Sequence, residues 1–184
     1  MDATSYSLIG HAKARHDGAW DRLWSVYSDY VRYRVRRGGV PEAAVEDVTQ
    51  EVFATVSGRL EEFEPRSEVG SFRRWLQTIA RSRAADHLRK EGRTPGDQAA
   101  GSHVFAAAAE ELEDDAEAEA VVALYERALA LVETDFKEST NAVFRLCVLE
   151  GVPAVEAAAR LGMKPPAVRM AVSRVLDRLR EVLG

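Results

Sequence analysis

Phe72-Arg73-Arg74-Trp75-Leu76-Gln77-Thr78-Ile79-Ala80-Arg81-Ser82-Arg83-Ala84-Ala85-Asp86-His87-Leu88-Arg89-Lys90 is the stretch on which the fold and role of this chain turn. At about 100° per residue, Phe72, Trp75, Leu76 and Ile79 share one helical arc, and Arg73, Arg74, Gln77 and Arg81 point elsewhere. Phe72 to Arg93 holds seven Lys or Arg residues against two acids, Asp86 and Glu91, with an indole among the bases. A helix of this composition can track phosphates and stack an exposed base. Taken alone, it reads better as a core helix with a solvated basic face. A second basic helical pattern at the end of the chain shifts that balance.

Outward from this helix the pattern stays helical. No stretch sustains period-2 alternation, so the fold class is all-α. Towards the N-terminus, a helix is expected from Asp17, as N-cap, to about Arg37, with Trp20, Leu23, Trp24, Tyr27, Tyr30 and Val31 on its apolar face. Gly38-Gly39 ends it, and Pro41 suits the first turn of the next helix, running to about Ser57. That helix sets Val45, Val48, Val52 and Val56 on one side, with Phe53 at the edge. Glu46, Asp47, Gln50 and Glu51 gather opposite. This is either a docking face for a basic partner helix or an ordinary solvated surface. Glu61–Ser71, with Pro65 and Gly70, reads as a loop.

Towards the C-terminus, Gly92–His103 is the best boundary. Residues 94–120 carry eight acids and no Lys or Arg, and the absence of Gly and Pro from Val104 to Thr134 makes part of this connector helical. Leu124, Ala128, Leu131 and Val132 begin a second core, and a helix from Thr140 to Glu150 buries Val143, Phe144, Cys147 and Val148. Val155–Leu161, the turn Gly162-Met163-Lys164 and a helix Pro165–Leu183 follow. Val168, Val172, Leu176 and Leu179 line its buried side. Lys164, Arg169, Met170, Ser173, Arg174 and Arg178 are left exposed. This is the layout of a helix-turn-helix entering a major groove, with an αα-hairpin as the plainer alternative. The expected architecture is two small helical domains joined by an acidic linker: a tail 1–16, a first domain 17–93, the linker 94–120 and a second domain 121–184.

The net charge of −5 conceals this layout. Without residues 94–120, 25 bases face 22 acids, and Arg160–Arg180 holds six bases against Asp177 alone. No apolar run approaches a membrane span, and Met1–Gly18 lacks the apolar segment of a secretory signal. The lone Cys147 suits a buried thiol in a reducing compartment, so a cytoplasmic location is expected. His11, His16, His87 and His103 show no metal-ligand spacing, and no phosphate loop or nucleophile–base pair occurs. No enzyme, cofactor or metal is expected.

Val45-Glu46-Asp47-Val48-Thr49-Gln50-Glu51-Val52-Phe53 resembles the polymerase-binding segment of the extracytoplasmic-function group of bacterial σ⁷⁰-type sigma factors. Phe72–Lys90 is similar to their −10 segment, and Leu149–Leu183 to their −35-binding helix-turn-helix. Glu133-Thr134-Asp135-Phe136 resembles a planctomycete-type branch. The resemblance implies that Asp47, Gln50 and Glu51, with Glu46 beside them, bind the clamp of the largest subunit of core RNA polymerase. The C-terminal domain would meet the flap of the second largest subunit. Phe63, Arg73, Arg74, Trp75, Arg81 and Ser82 are implied at −10 DNA, although Trp75 also suits the core. Lys164, Arg169, Met170, Ser173, Arg174 and Arg178 are implied at −35 DNA. An anti-sigma protein is an expected regulator, and no membrane partner is expected.

Two departures stand out. Ser82 occupies the usual place of Asn, and Lys164-Pro165-Pro166-Ala167 replaces the usual Ser then Gly-Thr, removing an N-cap oxygen. The resemblance also implies a linker threaded through polymerase. Its acids could alternatively screen the basic surfaces or act as a spacer. Rival roles are a helix-turn-helix regulator acting without polymerase and a helical protein-interaction adaptor.

Overall fold

The computed structural model describes residues 7–64, 70–92 and 115–184, and every regular element in them is helical. The expected tail is partly structured. Ser7 caps α1 (Leu8–Lys13) by accepting from the Gly10 N–H at 2.9 Å, and Leu8 and Ile9 are buried. Helix α2 (Ala19–Arg37) starts after Gly18 in a left-handed conformation rather than at an Asp17 cap. Its buried positions, Leu23, Val26, Tyr27, Tyr30, Val31, Arg34 and Val35, recur every three or four residues and form one stripe. Gly38 ends it where a Cβ would stand 2.7 Å from the Ala84 side chain, so the close approach to the fourth helix requires glycine.

Helix α3 (Glu42–Arg59) follows Pro41 and buries Val45, Val48, Val52, Phe53 and Val56 as the valine periodicity predicts. A 3₁₀ turn at Leu60–Glu62 leads towards α4 (Ser71–Lys90). Phe72, Leu76, Ile79, Ala80, Ala84 and Leu88 face the core. Tyr27 meets Phe72 edge-on, with centroids 5.0 Å apart, and the α2 and α4 stripes interlock there.

The acidic connector lies mostly outside the described residues, but its last six positions belong to α5 (Asp115–Glu133). The sequence groups α5 with the C-terminal helices. In the structure it packs chiefly along α2, adding Leu124, Ala128 and Val132 to the same core as Tyr27 and Val31. Helix α6 (Glu138–Phe144) continues into a π-helical turn, Arg145–Leu149. That wider turn rotates Val148 into solvent and leaves Cys147 half-buried, contrary to the expected burial of both.

Helices α7 (Ala154–Leu161) and α8 (Pro165–Leu183) form the expected pair, with Gly162 left-handed at the turn. Val143, Ala157, Ala158, Val168 and Ala171 make a small core of their own. Beyond it, Val175, Val182 and Leu183 of α8 join the main core. Val172, Leu176 and Leu179, placed by their spacing on the buried side, are half-buried and pack against these cores. Among the described residues, no helix is long and apolar enough to cross a membrane.

Candidate functional site

Three surfaces carry the residues singled out by the sequence. On α3, Asp47, Gln50 and Glu51 are exposed opposite the buried valines. Glu46 is exposed too, but Arg32 of α2 donates to it from Nε at 2.8 Å and from Nη2 at 3.2 Å. Arg36 grips Glu42 in the same forked way, at 2.8 and 2.7 Å. These hydrogen bonds hold the Glu42 and Glu46 carboxyls below the usual carboxylate range. The half of the acidic face nearest α2 is thus neutralised internally, and Asp47 and Glu51 remain as its outward charges.

On α4 the candidates divide. Arg81 and Ser82 are exposed, Arg74 is half-buried, and Trp75 is half-buried with its ring centroid 5.2 Å from Phe63 and 5.6 Å from Phe72. Phe63, placed on a DNA-holding loop by the sequence, is instead 5% exposed and stacks edge-on with Phe72 at 5.3 Å. Its carbonyl accepts from Lys13, whose ammonium also lies 6.0 Å from the Phe63 ring centroid. The aromatic trio Phe63, Phe72 and Trp75 therefore anchors the start of α4, and the neighbouring loop residues 65–69 lie outside the described residues. Arg73 faces inward. Its side chain is 14% exposed, and Nη1 donates to the Tyr30 hydroxyl at 3.2 Å. Burial raises the Tyr30 phenol above its ordinary pKa, so it stays a neutral partner.

The C-terminal pair presents Lys164, Arg169, Met170, Ser173 and Arg174 on one exposed face. Met170 is 64% exposed, an apolar contact in the middle of that face. Lys164 takes the N-cap position and Pro165 opens the helix. The first turn thus lacks a side-chain oxygen cap, as the sequence implies. Arg178 differs from its neighbours. It donates to Asp135 at 2.8 Å and to Glu181 at 2.9 Å, and it is half-buried. It ties α8 to the chain before α6 rather than extending the exposed face.

Sequence reading missed Arg34, Gln77 and Glu117 as a group. Arg34 Nη1 lies 2.7 Å from Glu117 Oε1, and both side chains are 3% exposed. The signal was present: Arg34 falls on the same helical stripe as Tyr27, Tyr30 and Val31. A base on an apolar stripe requires a buried partner. Glu117 precedes Leu124 by two turns on the inner face of α5. Among the described residues, no three His, Cys, Asp or Glu side chains assemble as a metal site.

Comparison with known proteins agrees with the geometry at the N-terminal helices. Residues 23–94, which take in most of α2 and all of α3 and α4, match the Sigma-70 region 2 family. The ECF RNA polymerase sigma factor BldN of Streptomyces coelicolor is 37% identical over 91 residues, covering 47% of this chain and 32% of that protein. The protein described as "Probable RNA polymerase sigma factor RfaY" of Xanthomonas campestris pv. campestris is 28% identical over 183 residues, covering 100% of this chain and 45% of that protein. The chain thus spans less than half the length of these curated relatives. Among solved structures, that of the RsbN–BldN complex is 22% identical, covering 93% of this chain and 96% of that one, at a TM-score of 0.39. CnrH in complex with the cytosolic domain of CnrY is 23% identical, covering 94% and 92%, at a TM-score of 0.40. The planctomycete-type branch gains no support from these relatives. The likeness to Sigma-70 region 2 thus runs over residues 23–94, from within α2 through α3 and α4.

Proposed function

We propose that this protein is a sigma factor of the extracytoplasmic-function type, which binds core RNA polymerase and directs it to promoters. The observation that carries this is the coincidence of the region 2 match with a helix whose outward carboxylates are unburied. Asp47 and Glu51, with Gln50 between them, offer two charges and an amide to a basic helix on the polymerase clamp, and Glu46 borders them. Helix α4 presents Arg74, Arg81 and Ser82, with Trp75 at the edge of the core, to −10 DNA. Helix α8 presents Lys164, Arg169, Met170, Ser173 and Arg174 to −35 DNA, and the C-terminal helices meet the flap. Residues 17–93 and 121–184 are the two working domains. The protein acts in the cytoplasm without a cofactor or a catalytic centre, and an anti-sigma protein is a further partner.

Reconstitution with core polymerase tests this. Promoter-directed transcripts should form with the wild type. Reversing Asp47 and Glu51 to Lys should remove co-purification with core enzyme while leaving the helical circular dichroism unchanged. Close interfacial charge pairs are worth about 1.5–7 kcal/mol, so the loss is measurable. Tight operator binding with no polymerase effect would instead identify a helix-turn-helix regulator, and neither activity an adaptor.

A further inference from the structure

Six bases lie between Arg160 and Arg180, and the structure divides them into two sets of three. Arg160 is held by Glu156 at 2.5 Å, Arg178 by Asp135 at 2.8 Å and Arg180 by Asp177 at 2.6 Å. Lys164, Arg169 and Arg174 are exposed and have no ion pair among the described residues. These three unneutralised charges surround Met170, which is 64% exposed. At about 100° per residue, Pro166, Ala167, Ser173 and Arg174 lie within about 60° of Met170 on α8, and all four are exposed. The Ser173 hydroxyl already donates to Asp177 at 3.3 Å. Pro166, Ala167 and Met170 thus form an apolar tip rimmed by bases.

The backbone adds no polarity to that tip. A helix start ordinarily offers free N–H groups that can take a phosphate. Pro165 and Pro166, the first two residues of α8, carry none. The next two are already used, since Ala167 and Val168 donate to the Lys164 carbonyl at 2.9 and 3.2 Å. What the first turn presents outward is therefore carbon surface. The surrounding bases call for an anionic partner, and the tip calls for an apolar group set within it. Duplex DNA meets both demands at one base. Thymine carries a C5-methyl group in the major groove, where the other bases present hydrogen-bonding groups.

We propose that Pro166, Ala167 and Met170 read thymine methyl groups in the −35 element, so that the start of α8 selects thymine by carbon contact. Lys164, Arg169 and Arg174 hold the flanking phosphates and base edges. This rests on α8 being the helix that enters the major groove. Ala167 and Met170 stand about 4.5 Å apart along the helix axis, close to the rise of about 3.4 Å between successive base pairs. Two adjacent base pairs can therefore present a methyl each to the tip. Met170 is unbranched and polarizable, so it settles on a methyl without a fixed pocket. The Lys164-Pro165-Pro166-Ala167 run, which replaces a polar helix start with carbon, thereby gives this chain a sequence preference of its own.

Exchanging thymine for deoxyuridine tests this, because it keeps every hydrogen bond of the base and removes only the methyl. The full chain, alone and mixed with core RNA polymerase, selects from a library of randomised duplexes. Thymines of the selected site are then exchanged one at a time, and fluorescence anisotropy reads the affinity. Wild type should lose about fourfold at one or two positions, the effect of returning one methylene-sized group to water. Met170→Ala should bind the thymine duplex more weakly by a similar factor, and should bind the thymine and deoxyuridine duplexes alike at one of those positions. Its thermal midpoint should match the wild type, since Met170 is exposed. Arg169→Ala should weaken binding yet keep the full deoxyuridine penalty. A selected site without thymine, or an equal penalty in wild type and Met170→Ala, overturns methyl reading while leaving α8 in the groove. If no duplex is selected in either setting, α8 is not a recognition helix and methyl reading falls with it. A methyl-dependent site that supports no promoter-directed transcription would count against the sigma function and leave methyl reading standing.

Discussion

Three arginines at alternate positions of α2 meet carboxylates in two different settings. Arg32 and Arg36 reach Glu46 and Glu42 across 14 and 6 residues of chain, in pairs open to water. Arg34 reaches Glu117 across 83 residues, and the pair is almost wholly buried. In water the attraction between opposite charges is small, and side-chain entropy cancels much of it. In the interior both charges lose their hydration, and each then depends on the other. The outer pairs therefore trim the charge beside Asp47 and Glu51 and exchange readily for other partners. The inner pair decides which helix can lie against α2. Identical chemistry gives a surface adjustment at two positions and a packing rule at the third.

The comparison is most exposed to Arg34→Met. Deleting Arg34 removes the near partner of the buried Glu117 carboxylate and leaves Arg73 at 4.0 Å, and losses of this kind run to about 3–5 kcal/mol. Urea unfolding followed by circular dichroism should show this loss. Replacing both, as Arg34→Met with Glu117→Leu, should return most of it, because a packed apolar pair avoids desolvation altogether. If the single variant costs no more than a surface pair, burial does not distinguish the two settings.

Helix α8 repeats the contrast on a smaller scale. Arg178 is clamped by Asp135 and Glu181, whereas Arg169 stands on the exposed face. Arg169→Ala should weaken DNA binding by about 1–3 kcal/mol if it reads a base edge. If it contacts a phosphate, it should instead reduce the salt slope by about one unit. Arg178→Ala should leave the DNA readout nearly intact and lower stability by roughly 0.5–1 kcal/mol. Equal effects of the two variants on DNA binding would show that the Asp135 clamp opens on the promoter.

Much of this was legible in the residues. The valine spacing of α3, the apolar arc Phe72, Leu76 and Ile79, and the glycine turn at Gly162 are local patterns, and each formed the expected helix. The exposed carboxylates of α3 and the bases at the start of α8 followed from the same periodicity. What the sequence did not disclose depends on pairing between distant segments. Phe63 looked like a loop residue because its ring partners, Phe72 and Trp75, lie beyond a turn whose direction no local rule sets. Arg73 sits off the apolar arc, yet Glu117 and Tyr30 draw it inward. The Gly184 cap on α4 joins residues more than 100 positions apart, and backbone donors carry no side-chain signature at all.

The smallest expected effect tests the outer pairs. Glu46→Gln removes one charge from an exposed forked pair, so the stability loss should be about 0.2–1 kcal/mol at neutral pH. Because Arg32 holds the Glu46 carboxyl below its usual range, the folded state binds this proton less tightly than the unfolded state. The contribution is thus fully present above the unfolded carboxyl value, about pH 4.3, and fades as pH falls through the lower folded value. The gap in urea midpoint between wild type and Glu46→Gln should close as pH is lowered from about 5 to about 3. It should also shrink at 1 M salt, where the screening length falls to about 3 Å. A gap that survives both acid and salt would mean that Glu46 acts through packing, and that the outer pairs are closer in kind to Arg34 and Glu117 than their exposure suggests.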